Sequence, residues 1–163
     1  HFRKKVVNQQ IEWLLNDQFK DYQWKITTSP RSPNLDIPKH SGNAEFFSWK
    51  DTEEDWLTEE IKQSEVTFLT PESVSVLYEG LSTNTKVYVF HHEHHTADQY
   101  GSEKKTKVTK NIDKLKLQGQ IGYIDSKRYM LSRSIKSADL KHPKISKPLR
   151  ETKRVVEKLF EIL

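Results

Sequence analysis

With 163 residues, 34% of them hydrophobic and 31% charged, the chain has the length of one domain and a very polar coat. Its 27 basic and 23 acidic residues leave a formal net charge of +4, which suits anionic partners without demanding nucleic acid, because the two signs are interspersed. The absence of cysteine excludes disulfides and thiolate chemistry and favours a reducing compartment.

No apolar run approaches the roughly 18 residues that span a bilayer, and no signal-peptide pattern opens the chain. A cytoplasmic location is expected, peripheral to a membrane at most. The first residue is His1, not Met. A single domain over residues 1–163 is therefore expected to be a fragment of a longer protein.

In chain order, Val6 to Phe19 reads as an amphipathic helix with Val7, Ile11, Leu14 and Leu15 on one stripe. Tyr22 to Thr28 reads as a strand that ends in the loop Ser29-Pro30-Arg31-Ser32-Pro33, where the prolines forbid regular continuation. Residues 34 to 50 are turn-rich and carry Phe46, Phe47 and Trp49. A helix is expected over Asp51 to Gln63, then a strand over Glu65 to Leu69. Pro71 opens a helix from Ser73 to Ser82, with Val74, Leu77, Tyr78 and Leu81 as its apolar stripe.

Lys86 to Phe90 is a buried-strand pattern, and His91 to Lys107 has no apolar periodicity and reads as a loop. Val108 to Leu117 returns to helix, with Gly119 as its stop, and Ile121 to Ile124 is a short strand. Residues 126 to 148 are basic and irregular, and Leu149 to Leu163 has a final helical pattern. Short strands alternating with helices indicate an α/β, Rossmann-like parallel sheet with helices on both faces. The strands near 23–28, 65–69 and 86–90 are expected to be neighbours in one such sheet.

Ligands of such sheets lie beyond the carboxyl ends of the strands. Two loops leave strands in that position, Thr27-Thr28-Ser29-Pro30-Arg31 and Thr70-Pro71-Glu72-Ser73-Val74-Ser75. Small hydroxyl residues at a helix start leave backbone N–H groups free for an anion, and the helix dipole adds about 0.3–1 kcal/mol. Farther into that helix, Glu79 supplies a carboxylate able to accept two hydrogen bonds from a sugar diol.

The run from Ser64 to Phe90, S-E-V-T-F-L-T-P-E-S-V-S-V-L-Y-E-G-L-S-T-N-T-K-V-Y-V-F, resembles the nucleotide-sugar segment of GT-B glycosyltransferases. More narrowly it is similar to the elongated-mitochondria (mitochondrial fission protein) family, whose bacterial members carry the label nucleoside-diphosphate-sugar epimerase. His1-Phe2, the block from Trp24 to Pro33 and the Pro148-Leu149 helix extend the resemblance over nearly the whole chain. It implies the C-terminal half of a GT-B fold, with an N-terminal domain and a first glycine-rich strand outside this chain. Within the block, Pro30 and Ser32 depart from the family's Ser-Arg-Arg-Thr-Pro pattern, and Pro71 replaces a more usual acidic residue.

Position by position, the resemblance implies that Ser73 and Ser75 hold a diphosphate and that Glu79 holds a ribose. Arg31 is then expected near the phosphates or the sugar, with Ser29, Thr70 and Val74 completing the ligand site. The implied activity is transfer of a sugar from a nucleotide donor, with no metal and no cofactor beyond that substrate. The expected partners are a nucleoside diphosphate sugar, the N-terminal domain and an acidic membrane surface met peripherally, but no nucleic acid. The alternatives are a non-catalytic GT-B-fold scaffold related to organelle fission, and a nucleotide-sugar epimerase.

Other features weigh less. His91-His92-Glu93-His94-His95 contains metal-ligand types but not the His-Glu-x-x-His spacing, so a solvated loop is expected there. Phe46, Phe47, Trp49 and Trp56 could stack a base, though aromatics this close together more often fill a core. The basic run from Lys104 to Lys116 reads as a solvated helix face. Lys127, Arg128, Arg133, Lys136, Lys141 and Lys144 suit an acidic membrane surface.

Overall fold

The computed structural model describes residues 4–32, 35, 40–71, 74–90, 106–124 and 140–145. The first amphipathic run forms α1 (Lys4–Leu14), followed by one 3₁₀ turn at Asp17–Phe19. The helix stops short of the expected Phe19 because Asn16 starts a new turn, its side-chain oxygen accepting from the Gln18 amide at 3.0 Å.

Two sheets follow. In the first, β1 (Trp24–Thr27) pairs in parallel with β3 (Ala44–Phe47), and β2 (His40–Ser41) pairs antiparallel on the far side of β3. The second contains β4 (Val66–Leu69), β5 (Lys86–Val89), β6 (Gly122–Ile124) and β7 (Leu140–Lys141) in that order. Its first three strands are parallel, and β7 closes it antiparallel. The helix α2 (Trp56–Gln63) links the two sheets, α3 (Val74–Leu81) lies between β4 and β5, and α4 (Lys107–Leu117) lies between β5 and β6.

The α/β class and the parallel pairing of residues 65–69 with 86–90 agree with the sequence expectation, Val66 facing Lys86 through to Leu69 facing Val89. The strand near residues 23–28 does not join them: it pairs with Ala44–Phe47, inside the stretch expected to be turn-rich. That stretch holds a hairpin. Ser41 faces Ala44 across Gly42-Asn43, and Gly42 takes a φ of 58°, which the right-handed twist of a two-residue hairpin loop requires. The Asn43 amide also donates to the carbonyls of Phe19 and Tyr22, at 3.1 and 2.7 Å, and braces the hairpin against the 3₁₀ turn. Among the described residues, neither β1 nor β4 has a strand on its other side.

Side-chain alternation splits the core into two layers. On one face of the second sheet, Val87 and Val89 of β5 and Ile121 pack with Leu77 and Leu81 of α3 and with Ile112 and Leu115 of α4. On the other, Phe68, Phe90 and Ile124 meet Trp13 and Leu14 of α1 together with Trp24 and Ala44 of the first sheet. Fully burying one such side chain contributes about 1.5–3 kcal/mol. Aromatic rings dominate the second layer. Trp13 meets Phe19 edge-on at 4.9 Å, and Phe68 stacks on Tyr88 at 4.7 Å.

The end of α4 follows the expected pattern. Gly119 has a φ of 69°, its amide donates to the Lys116 carbonyl at 2.9 Å, and the Gln120 amide donates to Leu115 at 3.0 Å. The Gly119 carbonyl then accepts from Lys144 and Ile145, at 2.8 and 3.0 Å, which fixes the segment after β7. β7 itself departs from the irregular structure expected over residues 126 to 148. The expected helix over 149–163 lies outside the described residues.

Candidate functional site

The carboxyl end of β4 leads through Thr70 and Pro71 into α3. Pro71 is buried and Thr70 half-buried. α3 is anchored by Leu77 and Leu81, and by Gly80, where a Cβ would stand 2.9 Å from Cγ2 of Val87. The missing side chain lets the helix approach the sheet closely.

Three faces of α3 remain. Ser75 points outward and is exposed. Glu79 is half-buried on the flank towards α2, where Lys62 lies. The Lys62 ammonium is held above its ordinary pKa mainly by its hydrogen bond to Glu59, by the Glu59 charge, and to a smaller extent by Glu79 and Asp55. Val74 and Tyr78 face α4, and the Tyr78 hydroxyl accepts a 2.7 Å hydrogen bond from the Asn111 amide.

Between α3 and α4 runs an open groove of about 470 Å³ lined by Val74, Lys107, Val108, Lys110, Asn111 and Lys114. Thr106 caps α4, its hydroxyl oxygen accepting from the Thr109 amide at 3.2 Å. Removing that cap with Thr106→Ala is expected to lower stability by about 0.5–2 kcal/mol, read from the midpoint of a urea transition.

At the carboxyl edge of the first sheet, Ser29 and Ser32 close a tight turn. The Ser29 amide donates to Oγ of Ser32 at 2.8 Å, and the Arg31 amide donates to Oγ of Ser29 at 3.3 Å. The Arg31 side chain is exposed. Thr28 ties this turn to the loop after β3, its Oγ1 accepting from the Trp49 amide at 3.2 Å. Trp49 is 42% exposed, with the Lys50 ammonium 5.7 Å from its ring centre. The other three aromatics are engaged: Phe46 packs into the aromatic layer, and Phe47 lies 4.7 Å from Trp56.

The sequence model of the family described as Mitochondrial fission ELM1 matches residues 1–163. The chain belongs to the mitochondrial fission ELM1 family. Comparison with curated proteins and with solved structures returns no match.

In this ELM1-family chain, Thr70, Val74, Ser75 and Glu79 are carried by one strand-to-helix unit. Ser73 lies outside the described residues, as does the histidine cluster at 91–95. Ser29 and Arg31 belong to the other sheet, and no hydrogen bond or ion pair among the described residues joins them to α3. Among the described residues there is no group of three or more His, Cys, Asp or Glu able to hold a metal, and no helix long and apolar enough to cross a membrane. The groove lysines are the feature that sequence reasoning assigned to a solvated face. Their spacing at i, i+3 and i+7 marks a stripe, but the apolar partner Val74 comes from a distant helix.

Proposed function

We propose that this chain binds a nucleoside diphosphate sugar, with the phosphates at the start of α3 around Thr70 to Ser75 and the ribose on Glu79. The observation that supports it is the strand-to-helix unit itself. β4 and β5 run in parallel, and α3 opens just after the carboxyl end of β4, so N–H groups of its first turn, which have no partner within the helix, lie at the edge where such sheets take ligands.

On this account the diphosphate is held by backbone N–H groups and by the hydroxyls of Ser73 and Ser75, while Arg31 offers charge to the phosphates or sugar. Stabilising the diphosphate as it leaves is the contribution this half makes to glycosyl transfer. The acceptor and the catalytic base would come from an N-terminal domain. No metal or other cofactor is needed for that role.

Membership in a fission family favours a second reading, a GT-B-like scaffold that keeps nucleotide binding without turnover, in peripheral contact with an acidic membrane. The two share the binding step, so binding is tested first. Glu79→Ala should weaken affinity for a nucleoside diphosphate by about 1.5–3 kcal/mol in calorimetric titration. Its melting curve should stay close to that of wild type, because a flank carboxylate contributes little to the core. Equal affinities in the two proteins would remove Glu79 from the site.

A further inference from the structure

We propose that the groove between α3 and α4 is a docking site for an acidic amphipathic helix of a partner protein. Its apolar lining is Val74 and Val108, both half-buried, and its basic wall is Lys107, Lys110 and Lys114. The Asn111–Tyr78 hydrogen bond joins the two helices beside the groove and fixes their spacing there. The first turn of α4 has no acidic residue, and among the described residues none of these three lysines pairs with a carboxylate.

Charge and shape together select the occupant. At 1.5 Å per residue the three lysines extend over about 10 Å along one stripe of α4. A compact phosphate spans only part of that row and leaves the valines uncovered. A helix with carboxylates at i, i+3 and i+7 repeats the same spacing, and an apolar side chain beside that row fills the space between the valines.

The test uses the full-length protein and a labelled synthetic helical peptide carrying glutamates at i, i+3 and i+7 with leucine between them, followed by fluorescence anisotropy. Binding should weaken with added salt. It should fall by at least about tenfold for the Lys110→Glu, Lys114→Glu double variant and for a scrambled peptide of the same composition. A peptide with lysine in place of glutamate should bind that double variant in preference to wild type. Melting curves check that the double variant is folded.

Equal binding of the scrambled peptide, or failure of the charge swap to restore affinity, would overturn the proposal. So would tight binding of phosphatidylserine vesicles through the same lysines without binding of the peptide. Displacement of the peptide by a nucleoside diphosphate that itself loses affinity for the Lys110→Glu, Lys114→Glu double variant would assign the groove to the nucleotide instead and also overturn it.

Discussion

Leu77→Ala is expected to lower the free energy of unfolding by about 2–5 kcal/mol. Leu77 is only 3% exposed and sits in the core layer where α3 meets Val87 and Val89 of β5. Truncation removes apolar burial and leaves a cavity that the surrounding branched chains cannot easily fill. The cost is high because Gly80 already brings helix and sheet to close approach, so α3 has little room to settle inwards. Urea unfolding checks it: the midpoint should fall while the slope stays that of wild type. A loss below about 1 kcal/mol would mean that α3 is not packed against β5 as described.

Gly122→Ala is the second large effect, and its cause is the opposite one, too much volume. A Cβ at Gly122 would lie 2.5 Å from Cε1 of Tyr88 and 2.7 Å from the carbonyl oxygen of Lys141. The Tyr88 ring cannot swing away freely. It is stacked on Phe68 at 4.7 Å, and its hydroxyl shares a 2.8 Å hydrogen bond with Nδ1 of His142. Burial, with a smaller contribution from Tyr22, raises the Tyr88 pKa further above neutrality.

The backbone of β7 blocks the other direction. Overpacking of this kind costs about 1–3 kcal/mol. The Gly122→Ala, Tyr88→Leu double variant should recover part of the loss, because the smaller side chain vacates the space. Denaturant titration of the single and double variants reads both effects, and a neutral Gly122→Ala would contradict the packing of Tyr88 across β6.

Much of this architecture is legible from local pattern. Val-Thr-Phe-Leu and Lys-Val-Tyr-Val-Phe are apolar runs too short for helices and are flanked by turn residues, and both form parallel strands. Gly119 marks the end of α4 because only a residue tolerant of positive φ closes the helix there. Ala44–Phe47 is less visible. Its alternation lasts one short strand, and Gly42-Asn43 is the sole hairpin signal beside it. Partner choice is harder still: nothing local to Trp24–Thr27 tells whether it lies beside Ala44–Phe47 or Val66–Leu69, since both offer aromatic faces to the same core layer.

The candidate site divides in the same way. Thr70, Val74, Ser75 and Glu79 follow from the order of strand, polar turn and helix, which a linear sequence records directly. The charge of Glu79 felt at Lys62, and the meeting of Val74 with the α4 lysines, depend on how separate helices pack. No periodicity within either segment encodes them.

Binding of a nucleoside diphosphate at the start of α3, as proposed, can be read residue by residue. Amide NMR of the full-length protein, titrated with each of the common nucleoside diphosphates in turn, addresses it most directly. Saturable shifts are expected for at least one of them, concentrated on the amides of Val74, Ser75 and Val76, with the Glu79 side-chain signals moving in parallel. An absence of saturable shifts, or shifts confined to residues away from α3, would contradict it.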